Sequence, residues 1–287
     1  MSAPTVGGAS PVQAGGGSGA SGSTVDELAG GSARAAPIRR GPRHWLRGYR
    51  SMLRFELLNQ RTFLPVFLVV QLLLGAGMAI MYGFFLGDIP PIAMRYVVTG
   101  IPALALFPLG FFAVPTVVGD MRRKGCYDFV WSLPVPRLAS AAATFTVYTL
   151  LALPGAAVAL LVAVWRYDVT LQVRPSIVPA VLLASLMSAS VGFGMAHAIA
   201  DPAVTNLIAN VLVFGVLLFS PIVVPISQFP GWLAAIHHVL PFESMAVVIR
   251  AGLSDGLATG VTRAYLVLAS WTLGSWLVAA RVILRRG

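Results

Sequence analysis

The stretch GDMRRKGCYDFVWSLPVPR, residues 119–137, decides how this chain is read. It is basic and aromatic, closes on two prolines, and separates two long apolar blocks. Working outward from it, six such blocks emerge, at about 64–86, 98–119, 139–164, 177–200, 204–225 and 262–284. Each is long enough to cross a hydrocarbon core of ~30 Å at 1.5 Å per residue. Charged residues make up only 10% of the 287, and hydrophobic ones 57%. A soluble domain carries roughly 25% charged residues, so a water-soluble core of this size is excluded and a multi-span helical bundle is predicted.

The arginines set the orientation. With the N-terminus placed in the cytoplasm, 15 of the 20 Lys/Arg residues fall on that side: eight before the first block, four between the second and third, and three at the C-terminal end. Arg95, Arg166, Arg174, Arg250 and Arg263 fall outside. This is the positive-inside asymmetry of a polytopic protein. It predicts a multi-pass protein of the cytoplasmic membrane with both termini in the cytoplasm. The net charge of +10 does not point to nucleic acid, because the cations flank apolar blocks. There they face anionic lipid headgroups.

Residues 1–37 are rich in Gly, Ser and Ala and read as a disordered cytoplasmic tail. They hold no apolar run of a secretory signal. The membrane domain takes up 38–287. From Arg43 to Arg61 the pattern turns helical: Arg43, Arg47, Arg50, Arg54 and Arg61 fall within roughly 60° of one another. Trp45, Leu46, Tyr49, Met52 and Leu53 take the other side. The segment predicts an amphipathic helix lying on the inner membrane surface. Glu56 projects on its apolar side, either snorkelling or as a buried partner for a basic residue. Small residues recur every fourth position in two blocks: Gly75, Ala79, Gly83 and Gly87, then Ala184, Ser188, Gly192 and Ala196. Such stripes let helices approach closely. Gly75, Ala79 and Gly83 are expected to pack a dimer.

Motifs for chemistry are sparse. The one lysine, Lys124, lies in Arg122-Arg123-Lys124-Gly125-Cys126, so no Gly-Lys-Ser/Thr phosphate loop exists. If ATP drives this protein, another chain hydrolyses it. The single cysteine, Cys126, excludes an intrachain disulfide. His44, His197, His237 and His238 show no zinc spacing, and no metal site is expected. His197 and Asp201 are spaced to pair at the end of the fourth block. No carboxylate falls in the middle of a block, which weakens a proton-driven mechanism. The outer carboxylates Asp88, Asp168, Glu243 and Asp255 are scattered.

Two segments stand out. In 119–137 a short helix running to about Leu133 would end at Pro134 and Pro136. It sets Tyr127, Phe129 and Trp131 beside the basic cluster. Aromatics in a turn between spans imply burial against the membrane surface or a protein partner. After the fifth block, Pro221, Pro225, Pro230 and Pro241 divide the chain. The stretches 231–239 and 242–252 would each cover only ~15 Å as helices, too short to span. A re-entrant hairpin fits, provided its non-helical backbone is shielded.

At these residues the chain resembles the permease subunits of type 2 ABC exporters, which move drugs, polysaccharides and lipids. The basic helix ending Arg54-Phe55-Glu56-Leu57 matches the first element. Asp120, Arg122, Gly125, Ser132, Pro134, Val135 and Arg137 follow the family's cytoplasmic loop. Phe219-Ser220-Pro221 to Pro225, Phe229-Pro230-Gly231-Trp232-Leu233 and Leu240-Pro241-Phe242-Glu243, ending at Arg250, look like its hairpin between spans five and six. Cys126 stands where Thr is usual, Leu133 separates Ser132 from Pro134, and Pro241-Phe242 replaces a commoner Asn-Pro-Leu-Thr stretch.

The resemblance implies an all-α integral membrane protein with six spans, an interfacial helix and that hairpin, built of Pro225, Pro230, Trp232, Pro241, Phe242, Glu243 and Arg250. It implies a second permease copy or paralogue and two ATPase subunits, which alone use ATP and Mg. Glu56, Asp120, Arg122, Arg123, Gly125, Tyr127, Phe129, Pro134 and Arg137 would form the ATPase-coupling surface. Spans one and five would meet their counterparts and line the route. The function implied is export of an amphipathic or hydrophobic compound by a non-catalytic subunit. An ATP-independent secondary transporter, or a membrane enzyme acting on a lipid-linked substrate, is the alternative.

Overall fold

A computed structural model of the chain describes residues 41–62, 64–87, 89–126, 129 and 135–285, with side chains to 282. The expected tail 1–37, Asp88, Tyr127, Trp131 and Pro134 lie outside the described residues. Within them the chain is helical, with no strand. An amphipathic helix α1 (Pro42–Asn59) precedes six helices long and apolar enough to span a membrane. These are α2 (Leu64–Leu86), the broken pair α3 (Pro91–Pro108) and α4 (Val114–Arg123), α5 (Arg137–Tyr167), α6 (Ile177–Ala198), α7 (Pro202–Phe219) and α10 (Val261–Arg285). Between α7 and α10 stand the short helices α8 (Gly231–Val239) and α9 (Pro241–Leu253).

Proline and its neighbours set several boundaries. Pro202 opens α7, and the Asp201 carboxylate accepts a hydrogen bond from Ala203 N at 2.7 Å. That satisfies one of the free N–H groups of the first turn. The helix stops at Phe219, short of the expected 225, because the Pro221 ring cannot continue it. Between α3 and α4 the chain winds as one π-turn, Leu109–Ala113, flanked by Pro108 and Pro115. Each proline lacks a backbone donor and crowds the carbonyl four residues back, which is where helices kink.

The broken span is the centre of the bundle. In its most apolar window 89% of the residues are buried inside the chain, against 17% in α2, α7 and α10. It packs against α2, α5, α6, α7 and α9. Close approach depends on small residues. A side chain on Gly192 of α6 would collide with the carbonyl of Gly110 in the π-turn, and one on Gly110 with Ser188. The stripe of α2 is used in the same way but inside the chain. Gly75 lies against Gly155 and Ala159 of α5, Gly83 against Tyr167, and the Ala79 carbonyl accepts from the Tyr167 hydroxyl at 2.6 Å. This corrects the expectation that Gly75, Ala79 and Gly83 pack a dimer. A small-residue stripe serves whichever helix carries matching small residues, and here that helix is α5.

The hairpin is re-entrant, as expected. Helices α8 and α9 meet at 76°. At the start of α9 the Phe242 ring sits 5.8 Å from Phe107 and 5.6 Å from Phe111. Phe107 is the midpoint of the broken span Pro91–Arg123. From there α9 runs back to Arg250, beside Tyr96 and Thr99 near the start of α3. The bend therefore reaches half depth and returns to the side it came from.

Replacing Gly192 with Val forces backbone apart at the Gly110 crossing and should destabilise the fold by about 1–3 kcal/mol or more. Gly215, with nothing within 4 Å of an added β-carbon, should accept Ala at no loss. Thermal unfolding in mild detergent separates the two.

Candidate functional site

Two polar constellations lie at opposite ends of the bundle. At the basic end, α1 rests on the start of α5. Gly48, Met52, Glu56 and Gln60 recur every fourth residue and are buried against it. The absent side chain of Gly48 leaves room for Pro136 and Val135. Glu56 accepts hydrogen bonds from Thr144 Oγ1 at 2.8 Å and from Gln60 Nε2 at 2.9 Å. Gln60 Nε2 also donates to the Tyr148 hydroxyl at 3.1 Å. A buried carboxylate needs such donors. Glu56 therefore does not present itself to a partner chain, which corrects its place on the ATPase-facing surface. Its partners are neutral donors of α5 and α1, rather than the basic residue that the sequence pattern suggested.

The end of α4 divides its residues between inward and outward roles. Arg122 Nη1 donates to the carbonyls of Ile199 at 2.7 Å and Ala200 at 3.1 Å. It thereby ties α4 to the turn after α6, where carbonyls lack helical donors. This is a second correction: Arg122 is a tie within the chain. Asp120 forms an exposed ion pair with Arg123. Gly125 follows with φ +70°, the left-handed region that favours glycine. Beyond it Cys126 and Phe129 are exposed, as are Lys124 before it and Arg137 at the head of α5. His197 and Asp201 take separate partners in their own turns: Nδ1 of His197 lies 2.8 Å from Phe193 O, and Asp201 caps α7.

At the opposite end the hairpin closes over α3. Pro225 precedes one 3-10 turn, Ile226–Gln228; Pro230 precedes α8, and Pro241 opens α9. Trp232 is exposed. His238 Nδ1 lies 3.2 Å from Glu243, joining the two arms. Arg263 and Trp271 of α10 donate to the carbonyls of His238 at 3.0 Å and Val239 at 2.8 Å, so the open backbone at the bend is satisfied. The bond between Arg174 and Asp255 is an exposed ion pair.

Arg250 holds the hairpin down. It is 1% exposed. Its guanidinium stacks 3.5 Å from the Tyr96 ring centroid. Nη2 donates to Ile222 O at 2.8 Å and Tyr96 O at 3.3 Å, and Nε to Thr99 Oγ1 at 3.3 Å. One planar cation thus joins α9, α3 and the segment after α7, a fit that suits guanidinium and not ammonium.

Thr144 and Tyr148 at one end, Tyr96 at the other and Gln71 between them make buried polar contacts that the sequence pattern did not single out. Gln71 is buried in mid-α2 and donates to Ala105 O, just before the π-turn. A lone amide in an apolar block was the available signal. Among the described residues no group of three or more His, Cys, Asp and Glu comes together to hold a metal.

A family model described as ABC-2 type transporter matches residues 47–253, from α1 to the end of α9. No curated protein matches the chain.

Replacing Arg250 with Met should lower the melting temperature and raise hydrogen exchange across 220–241. Removing a buried cation's hydrogen bonds is expected to cost about 2–5 kcal/mol. Lys at the same position should rescue little, because one ammonium cannot stack on Tyr96 and reach all three acceptors.

Proposed function

The chain belongs to the ABC-2 type transporter family, the membrane components of ABC exporters, and from that premise we propose a permease that exports an amphipathic or hydrophobic compound. It is a multi-pass transport subunit of a family that normally works with ABC ATPase subunits. In the proposed assembly two permeases, identical or paralogous, stand on two ATPase subunits that bind ATP and Mg. The basic end faces the cytoplasm and the hairpin the outside of the plasma membrane.

The observation that carries the reading is what protrudes beyond α4. Arg123, Lys124, Cys126 and Phe129 are exposed at the end of the most buried span of the bundle. A push there acts on the core, because α4 is tied to α7 by Thr116 and Asn206, 3.2 Å apart, and to the α6–α7 turn by Arg122. A cationic surface with an aromatic centre suits an acidic, apolar-lipped groove on an ATPase. ATP-driven closure would bias the bundle between two states, which is all that coupling requires.

Two further observations support the rest. Helices α2 and α7 turn apolar side chains outward, Leu73 and Phe84 on one and Leu207, Val211 and Phe214 on the other. Those faces are free to meet a second permease. Aliphatic and aromatic side chains with no ring of charge favour an apolar cargo over an ion.

The double replacement Arg123→Glu and Lys124→Glu should weaken retention of the ATPase on the tagged, purified permease at least about tenfold, with insertion and melting unchanged. Arg122→Glu should instead lower yield and melting temperature, since it breaks an internal tie. Full retention and ATP-dependent export in the double variant would refute this docking surface. Export in cells devoid of any ATPase partner would refute the exporter reading.

A further inference from the structure

On the flank formed by α5, α6 and α10 lies an open groove of about 920 Å³. Along α5 its wall runs Leu138, Ala142, Thr146, Thr149, Leu150 and Leu153. These share one helical face over ~22 Å, most of the ~30 Å depth of a hydrocarbon core. Leu182 and Leu186 of α6 and Leu273 and Leu277 of α10 form the other walls. Phe145 and Trp276, 5.4 Å apart, lie at its floor.

The lining is more apolar than its residue types suggest. Thr146 Oγ1 donates to Ala142 O at 2.8 Å, and Thr272 Oγ1 to Leu268 O at 2.8 Å. Both hydroxyls are turned into their own helices.

The two ends of the groove differ. At the basic end Trp45 of α1 closes it, stacked on Tyr49 with ring centroids 5.5 Å apart. The Tyr49 hydroxyl is in turn hydrogen-bonded to Thr146 at 2.9 Å. An indole pinned in this way sits at headgroup level. Arg281 is exposed and follows the lining residue Leu277 of α10 by one helical turn. A cation one turn beyond the lining, an aromatic at the interface and an apolar trough below match the parts of one molecule, an anionic phospholipid.

We infer that this groove is a binding site for an anionic phospholipid, with an acyl chain along α5 and the headgroup between Trp45 and Arg281. The site goes beyond the transport reading and requires no ATPase. It would bind the interfacial helix α1 to the bundle through a lipid as well as through Glu56 and Thr144.

Two tryptophans, Trp45 and Trp276, line the groove and serve as reporters. The full chain, with Trp131, Trp165, Trp232 and Trp271 each replaced by Phe, is placed in phosphatidylcholine nanodiscs. Phosphatidylglycerol with brominated acyl chains is then added stepwise, or brominated phosphatidylcholine in a parallel series. Fluorescence quenching should saturate at a fraction of phosphatidylglycerol about fivefold or more below that needed for phosphatidylcholine. Arg281→Gln should erase about fivefold of that preference, the share of one surface cation. Equal quenching by both lipids would mean unselective boundary lipid and overturn the inference. Quenching by neither would mean that a second copy of the chain or another protein covers the face, and would also overturn it. Native mass spectrometry of the unsubstituted chain from mixed nanodiscs tests the site without the Phe replacements: retained phosphatidylglycerol supports it, and equal loss of both lipids refutes it.

Discussion

In a hydrocarbon medium every backbone donor and acceptor has to find its partner within the protein, and the central span makes that demand hard to meet. Pro108 and Pro115 remove donors on either side of a π-turn, in the most deeply buried part of the bundle. Two neighbouring helices donate polar side chains into the last turn of α3, just before the break. Gln71 of α2 donates to Ala105 O, and Ser188 of α6 donates to Phe107 O at 2.7 Å. Each such group left unpaired in lipid costs several kcal/mol. These bonds tie α2 and α6 to the last turn of α3, and the Gly110–Gly192 crossing brings α6 close beside it. The hairpin obeys the same rule, since Trp271 and Arg263 close its open carbonyls.

The π-turn also separates two regions with different holders. The α3 half is gripped by Arg250 of the hairpin through Tyr96 and Thr99. The α4 half is gripped by Asn206 of α7 and, through Arg122, by the turn after α6. Phe242 packs on Phe107 and Phe111, on both sides of the junction between α3 and the π-turn. A displacement of the exposed end of α4 therefore has two outlets. Either the span bends at the π-turn, where helical hydrogen bonding is already irregular, or the hairpin tip moves with it. In both cases the motion would reach mid-span, because the ties of α4 to α7 and to the turn after α6 carry those elements along with it.

Much of this architecture was legible in the sequence, because membrane helices are written in long apolar runs. Spans, interfacial helix and hairpin all follow from run length, proline placement and the arginine pattern. The roles of single polar residues were less legible. Glu56 read as snorkelling or as a partner for a basic residue because it lies on the apolar side of a basic helix, and Arg122 read as surface charge because it lies in a basic loop. Their direction depends on which neighbour is near, Thr144 in one case and Ile199 in the other, and both lie more than seventy residues away in sequence. The stripe of Gly75, Ala79 and Gly83 said that some helix comes close without saying which. The π-turn left only Pro108 and Pro115 as its trace, and Pro102 and Pro154 sit inside helices that stay α-helical. Proline alone does not reveal which kink becomes a π-turn.

What exposure means in this chain depends on the medium at each depth. Leu207 and Phe129 are 65% and 63% exposed, yet they carry different information. Leu207 lies on α7 at membrane depth, where lipid tails are as apolar as a protein partner. The hydrophobic effect therefore gives no drive to cover it, and any association there rests on packing. Phe129 lies past the left-handed Gly125, beyond the end of α4 and next to Lys124 and Cys126, in a polar segment. In water an exposed phenyl ring is unfavourable by about 1.5–3 kcal/mol relative to a buried one. The exposed face of that ring and the adjacent cations are the features that the proposed docking surface would use. The same logic separates the groove at α5 from the plain apolar faces of α2 and α7. Apolar walls alone would be solvated by any lipid, whereas Trp45 at the mouth and Arg281 one turn beyond the lining give one headgroup charge an advantage over another.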